Sequence, residues 1–400
     1  MNRPSLPGAF LIFLLAAAPW PAGAQLEEAE GAGGGAGFTP RLITDVENRT
    51  NLFLTAADTE RETLTVYRPG LRFSAPVQTH ALELRGEGFL IRAAEFPEFD
   101  SDEYRANGSL DFDLFRGFTL SPRGRYQRSS NPPLSLTDLR HRYRDAQAGL
   151  AVGYNFADRW QALVNGSYLE RRFEEPADEL DNFSSSTYGA GLGYRILPKT
   201  TLLGQGDYAR INNFLTQYDN RLVRATLGLV WETTAKLSAE VHGGWQDKKF
   251  DRAALGEHGD WLVQGRLRFQ PTDFDRISLQ LSRDILETAF TARENVASGR
   301  YYVSTAGDLA YQHAWTAKIK SRVATRYSDL EFSRGRGDRI AGAELGLEYS
   351  PRKWLAVSAG GGYLQDHSSQ SRFNYVDRRL LAAVEVIWSA QGVAAWAGER

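Results

Sequence analysis

Residues 146–156 read AQAGLAVGYNF, and the alternation in that stretch decides the fold. Ala146, Ala148, Leu150, Val152, Tyr154 and Phe156 fall on one face. Gln147, Gly149, Ala151, Gly153 and Asn155 fall on the other. A period of two held over eleven residues belongs to a strand with one apolar face, not to a helix. The same split returns in Val223, Ala225, Leu227, Leu229 and Trp231, in Ala341, Ala343, Leu345, Leu347 and Tyr349, and in Leu380, Ala382, Val384, Val386 and Trp388.

The segments themselves recur. Tyr154, Tyr194, Trp231, Phe269, Tyr311, Tyr349 and Trp388 each close one just before a short turn, at spacings of 40, 37, 38, 42, 38 and 39 residues. Trp160, Trp315 and Trp354 stand at the same end. A second aromatic series, Tyr126, Tyr168, Tyr208, Trp245, Tyr327 and Tyr363, marks the opposite end. Two aromatic rows offset along antiparallel strands are what two membrane interfaces require. A period near 40 also suits propeller blades and helical repeats. Helical repeats fail on the period of two. Propeller blades need four short strands where this chain offers two long ones, of the roughly 9–11 residues or more that cross a bilayer.

Connections alternate in the same sense. Tight turns fall at 116–117, 157–158, 197–200, 233–236 and 350–353. Longer polar stretches fall at 129–142, 172–182, 247–259, 287–298 and 366–377. Short periplasmic turns and longer external loops are the asymmetry of outer-membrane barrels. The expectation is therefore an all-β, transmembrane, antiparallel up-and-down barrel. Eighteen strands run between Pro40 and Trp388, with sixteen as the fallback, and the even count places both barrel ends in the periplasm.

Composition agrees. Lys plus Arg is 47 against 49 Asp plus Glu, without the basic surplus of a nucleic-acid partner. Mean hydropathy is −0.41, and no apolar run approaches the ~20 residues of a spanning helix. There is no cysteine, hence no disulfide framework and no thiolate metal site. The start is an export signal: Arg3, an apolar stretch over residues 9–18, then Ala22-Gly23-Ala24. Residues 1–24 are thus expected to be a signal peptide, 25–37 a flexible Gly-rich periplasmic leader, 38–391 the barrel and 392–400 a tail.

Residues opposite the apolar stripe are expected to line the lumen: Glu83, Arg85, Glu87, Asp111, Asp113, Arg123, Arg125, Glu240, Arg266, Arg268, Lys320, Arg322, Glu344 and Glu348, with Arg326 and Glu385 beside them. In hydrocarbon each would cost roughly 2–4 kcal/mol at mid-depth. Two readings stay open: a water-filled channel whose charges select solutes, or opposite signs that pair across a merely polar interior. Sixteen to eighteen strands leave an aqueous lumen unless something fills it. An inward-folded loop at 129–142 would be one such filler.

Other signals are weaker. Gly189, Gly191 and Gly193 alternate along a strand and lack the context of a nucleotide loop. Arg336-Gly337-Asp338 spells an adhesion tripeptide inside a charged turn. The six histidines show no metal spacing. A barrel hydrolase needs a Ser–His pair; His242 beside Glu240 has no evident serine. The expectation is a non-enzyme that needs no cofactor.

The chain resembles the β-barrel porin type 2 family of Gram-negative outer membranes, often met near exopolysaccharide gene clusters. The resemblance covers residues 38–391. It rests on the opening from Pro40-Arg41-Leu42 to Asn51-Leu52-Phe53, on Asn165-Gly166-Ser167-Tyr168 and Gly360-Gly361-Gly362-Tyr363, and on Gly191-Leu192-Gly193-Tyr194. It departs from the pattern in continuing after Trp388, where such barrels end on an aromatic residue. It implies an outer-membrane channel in contact with membrane lipid and lipopolysaccharide. It further implies a role in passing or anchoring extracellular polysaccharide, with a separate periplasmic scaffold as partner. A non-transporting anchor or assembly module that works through its surface loops is the alternative.

Overall fold

The computed structural model describes residues 37–388, apart from 57–58, 78–79, 115–116, 131–141, 158, 235 and 288–298. The expected signal peptide and tail, nearly all of the leader, and most of the loops at 129–142 and 287–298 lie outside the described residues.

Eighteen strands form one antiparallel sheet. The first nine are β1 (Gly37–Arg49), β2 (Glu62–Val77), β3 (His80–Ala93), β4 (Ser101–Asp113), β5 (Phe118–Ser130), β6 (Arg142–Phe156), β7 (Trp160–Phe173), β8 (Phe183–Leu197) and β9 (Thr200–Asn213). The rest are β10 (Asn220–Thr234), β11 (Leu237–Phe250), β12 (Glu257–Phe269), β13 (Asp275–Glu287), β14 (Tyr301–Ala314), β15 (Ile319–Phe332), β16 (Gly337–Arg352), β17 (Leu355–Ser368) and β18 (Tyr375–Ile387). Each strand pairs with its sequence neighbours, and β1 pairs with β18 from Arg41↔Ile387 to Arg49↔Arg379. The sheet therefore closes on itself and leaves no free edge. Past the last strand, the Trp388 N–H donates to the Pro40 carbonyl at 2.9 Å and extends the seam.

Strands of 13–16 residues exceed a bilayer crossing, and the excess lies at the loop end. Several polar stretches that read as loop are strand there. β11 runs on to Phe250 and β12 starts at Glu257, so only 251–256 connects them; 369–374 alone connects β17 to β18. At the opposite end, the expected turns at 233–236 and 350–353 shrink because β10 and β16 continue through register shifts at Trp231/Thr234 and Tyr349/Arg352. Backbone pairing persists wherever a neighbouring strand is present to satisfy it, whatever the side chains prefer.

Four loops share one closing device. After a short 3₁₀ helix, an Asp or Asn side chain accepts the N–H of the residue ending the preceding strand. Asp100 serves Ala93 at 2.9 Å and Asn182 serves Phe173 at 2.7 Å. Asp219 serves Asn213 at 2.7 Å and Asn374 serves Ser368 at 2.6 Å. Glu62 adds a related clasp by accepting the N–H groups of Ala94, Glu95 and Phe96 at 2.8–3.1 Å.

Candidate functional site: the barrel interior

Register assigns every side chain to a face. The ladder Arg41↔Gly70↔Glu87↔Arg105↔Gln127↔Asp145↔Arg171 fixes the inner parity on seven consecutive strands. Ion pairs between strands that are not neighbours confirm which face is concave. Arg41 on β1 meets Glu87 on β3, and Arg224 on β10 reaches Asp284 on β13 at 2.8 Å. Only the inside of a closed sheet permits such contacts.

Glu83, Arg85, Glu87, Asp111, Asp113, Arg123, Arg125, Glu240, Arg266, Arg268, Lys320, Arg322, Glu344 and Glu348 all carry the inner parity, as do Arg326 and Glu385. Tyr154, Trp160, Tyr194, Trp231, Phe269, Tyr311, Tyr349, Tyr126, Tyr168, Tyr208, Trp245, Tyr327 and Tyr363 carry the outer one. Trp315, Trp354 and Trp388 stand just beyond strand ends. On β7, Trp160 and Tyr168 are eight residues apart, about 26 Å along the strand at ~3.3 Å per residue. Neighbouring rings touch within each row: Phe118 on Tyr154 at 4.2 Å between centroids, Trp160 on Tyr194 at 4.7 Å, Tyr104 on Tyr126 at 5.9 Å.

Many inner charges are paired. Glu83 takes Arg72 at 2.9 Å and also Arg85; Arg326 holds Asp308 at 2.7 Å, and Lys320 lies 3.6 Å from Glu348. Asp111 accepts from Ser121 at 2.6 Å with Arg123 at 3.9 Å. At the β1–β18 seam, Asp45 binds Arg68 at 2.6 Å while Arg41 bridges Glu87 and Glu385. Ile43, Leu381 and Ala383 fill the remainder of that recess.

Four inner arginines differ. Arg105, Arg125, Arg266 and Arg268 have no carboxylate at ion-pair distance among the described residues. Arg125 donates to the neutral Gln127. The Nε groups of Arg105, Arg125 and Arg266 are buried without a hydrogen-bond acceptor among the described residues.

The loop-end part of the interior follows another rule. There the inner parity brings Tyr143 onto Phe173, Ala209, Ile211 and Leu222 onto Phe183, and Leu330, Phe332 and Ile340 onto Tyr302 and Leu364. Buried polar groups interleave with these clusters. Arg171 forks onto Asp145 at 2.8 and 2.9 Å and lies 4.3 Å from the Tyr143 ring. Lys248, only 1% exposed, binds Asn220 at 2.7 Å and also Glu287. The interior is therefore substantially apolar toward the loop end. The sequence reading missed this, because it extended a uniformly polar inner face to the strand ends.

Small residues are placed to admit large inner ones. A Cβ on Gly189 would fall 2.3 Å from both Asn165 Oδ1 and Asp207 Oδ1, and one on Gly228 would fall 2.2 Å from His242 Nδ1. Gly189 of β8 is thus a recess for inward polar side chains. His242 bonds Glu240 at 2.7 Å, and its cross-strand neighbours are Gly228 and Gln264, neither a nucleophile. Arg336 and Asp338 pair with each other at 2.9 Å, each 1% exposed, which withdraws the adhesion tripeptide from any receptor.

Several solved structures resemble this one in fold. OpdK of Pseudomonas aeruginosa, solved with vanillate, aligns at 13% identity over 88% of this chain and 99% of its own, with a TM-score of 0.48. OccK3 (OpdO) of the same organism aligns at 13% over 89% and 96%, TM-score 0.47, and OpdL at 10% over 89% and 99%, TM-score 0.47. No match was found among curated proteins. A match to a family of known description runs over residues 34–387, nearly the whole barrel. The chain therefore belongs to the outer-membrane β-barrel channel family described as "Putative beta-barrel porin 2".

Proposed function

We propose that this barrel passes hydrophilic solute bearing acidic groups across the outer membrane, with an acidic polysaccharide as the natural class. The observation that carries the reading is the set of inner arginines, Arg105, Arg125, Arg266 and Arg268, whose donors meet no carboxylate at ion-pair distance among the described residues. A guanidinium is a bidentate partner for carboxylates, and in a confined, partly dry lumen its field concentrates anions. In this reading the two aromatic rows mark the membrane interfaces, the chain arrives through a cleaved export signal, and a separate periplasmic scaffold delivers the polymer.

A second reading has its own support. Apolar clusters and buried polar contacts such as Arg171–Asp145 and Lys248–Asn220 line the loop end, as suits an anchor or assembly module that conducts nothing. Single-channel recording of the refolded protein in a planar bilayer separates the two. Stable ohmic steps, blocked by an acidic oligosaccharide more than by a neutral one of equal length, are expected. Electrical silence from a folded barrel would leave the anchor reading standing, and equal block by both sugars would remove the role given to the arginines.

A further inference from the structure

On the convex face, immediately beyond the loop-end aromatic row, three arginines stand side by side. Arg128 on β5, Arg144 on β6 and Arg172 on β7 are direct cross-strand partners. Adjacent strands lie ~4.8 Å apart, so the three guanidinium stems span about 10 Å. Tyr126 is two residues below Arg128 and Tyr168 four below Arg172, which puts the row roughly 7–13 Å along the strands past the rings. That is the level of lipid headgroups if the rings mark the interface.

Like charges directly opposite one another oppose pairing, so such a row needs compensation, and the described residues supply little. Glu174 alone serves both Arg128, at 2.7 Å, and Arg144, at 2.6 Å; Arg172 pairs with Glu170 at 2.5 Å. Among the described residues Arg142, at the start of β6, donates only to the Asp100 carbonyl, at 3.4 Å. Among the described residues four cations thus share Glu174 and Glu170, Asp102 beside Arg128 being paired to Arg92 at 2.8 Å, and the side chains of Arg144 and Arg172 remain 54% and 71% exposed. A comparable row, Arg210, Arg221 and Lys249 on β9–β11, is different. Asp251 binds Arg210 at 2.5 Å and Glu257 binds Lys249 at 3.0 Å, while Asp247 lies on the same face of β11 two residues below Lys249.

We infer that the Arg128–Arg144–Arg172 row, with Arg142, is a binding site for the phosphate groups of an outer-leaflet glycolipid. Planar guanidiniums match phosphate oxygens bidentately. The spacing offers adjacent forks to a headgroup that carries more than one phosphate, and Tyr104, Tyr126 and Tyr168 below would meet its acyl–sugar boundary. The inference rests on the loop end facing outward, but not on the barrel conducting.

The test uses the full-length barrel in detergent micelles, titrated with diphosphoryl lipid A, with its dephosphorylated form and with inorganic phosphate. We expect the diphosphorylated lipid to bind at least tenfold more tightly than the dephosphorylated one. Free phosphate, presenting one group without the acyl anchor, should compete only at far higher concentration. Arg144→Gln with Arg172→Gln, both exposed, should reduce lipid affinity about tenfold, whereas Arg221→Gln should leave it unchanged. Unaltered heat-shifted gel mobility would show that each variant is folded. Equal binding of both lipids, or an undiminished affinity in the double variant, would overturn the site. Tight binding of phosphate alone would make it an anion site with no lipid role. Conductance measured on the same samples is independent of every one of these outcomes.

Discussion

On β7, Trp160, Val164 and Tyr168 face outward while Gln161, Asn165 and Ser167 face the lumen; a few residues further, Arg172 faces outward and Phe173 inward. β6 shows the same inversion, with Leu150, Val152 and Tyr154 outside at one end and Tyr143 inside, flanked by Arg142 and Arg144, at the other. Below the loop-end aromatic row the barrel is apolar outside and polar inside. Above it the barrel is charged outside and substantially apolar inside. Backbone geometry is identical in both regions, so the surroundings account for the difference. Hydrocarbon demands an apolar exterior and permits a wet interior. Once strands rise past the bilayer, their exterior meets water and headgroups, and burying apolar inner groups becomes the source of stability. The loop-end region should therefore behave as a folded core, and the turn-end region as a wall.

Arg336 offers the severest test of that division. It is enclosed between Phe332, 4.8 Å from its ring centroid, and Phe373, at 3.5 Å, and is paired to buried Asp338. Removing one member of a buried pair strands the other charge, at a cost of about 3–5 kcal/mol. Arg336→Ala should lower the urea midpoint of unfolding in micelles accordingly. A loss under about 1 kcal/mol would mean that this end is hydrated and that the two regions are energetically alike.

Much of this architecture was legible in the sequence because every strand of a closed barrel repeats the same period-two patterning. Strand number and the parity of Glu83, Arg85, Glu240 and Arg266 follow from it directly. The inversion was not legible. Phe173, Ile211 and Leu222 break the apolar-outside rule only within a residue or three of a strand end, where a change of environment and the onset of a loop look the same. Nor does spacing within one strand show that Arg128, Arg144 and Arg172 stand abreast; that needs the register between strands. The Asp and Asn clasps escaped for a similar reason, since each joins residues six to nine apart across a turn whose geometry the sequence does not state.

A smaller effect is expected from the loop residue Glu174. Its hydrogen bonds from Arg128, then Arg144, hold its carboxyl down to about 2, against an ordinary 4.5. A lowered value in the folded state means stabilisation that is complete above the ordinary pKa and lost as pH falls through about 2. Glu174→Gln should accordingly cost about 1 kcal/mol or less near neutrality and nothing at the acid extreme. Melting temperatures of the two proteins should converge as pH drops from 5 toward 2. Parallel curves across that range would show that the carboxylate contributes no electrostatic stabilisation and that the arginine row is balanced in some other way.

The turn-end wall predicts the smallest change in stability and a large one in selectivity. Arg266 and Arg268 stand near the end of β12 beside the short turn, and among the described residues neither has an acidic partner at ion-pair distance whose charge its loss would strand. Arg266→Gln with Arg268→Gln should therefore shift unfolding by no more than about 0.5 kcal/mol. In a salt gradient the reversal potential of the same double variant should move toward cation preference, because two positive charges have left one rim of the lumen. The shift should shrink as salt rises, since screening contracts to about 3 Å at 1 M from about 10 Å at 0.1 M. A shift insensitive to salt would point to altered pore shape, not field. Marked destabilisation with an unmoved potential would make these arginines part of the packed core, and the contrast between the two ends of the barrel would then fail.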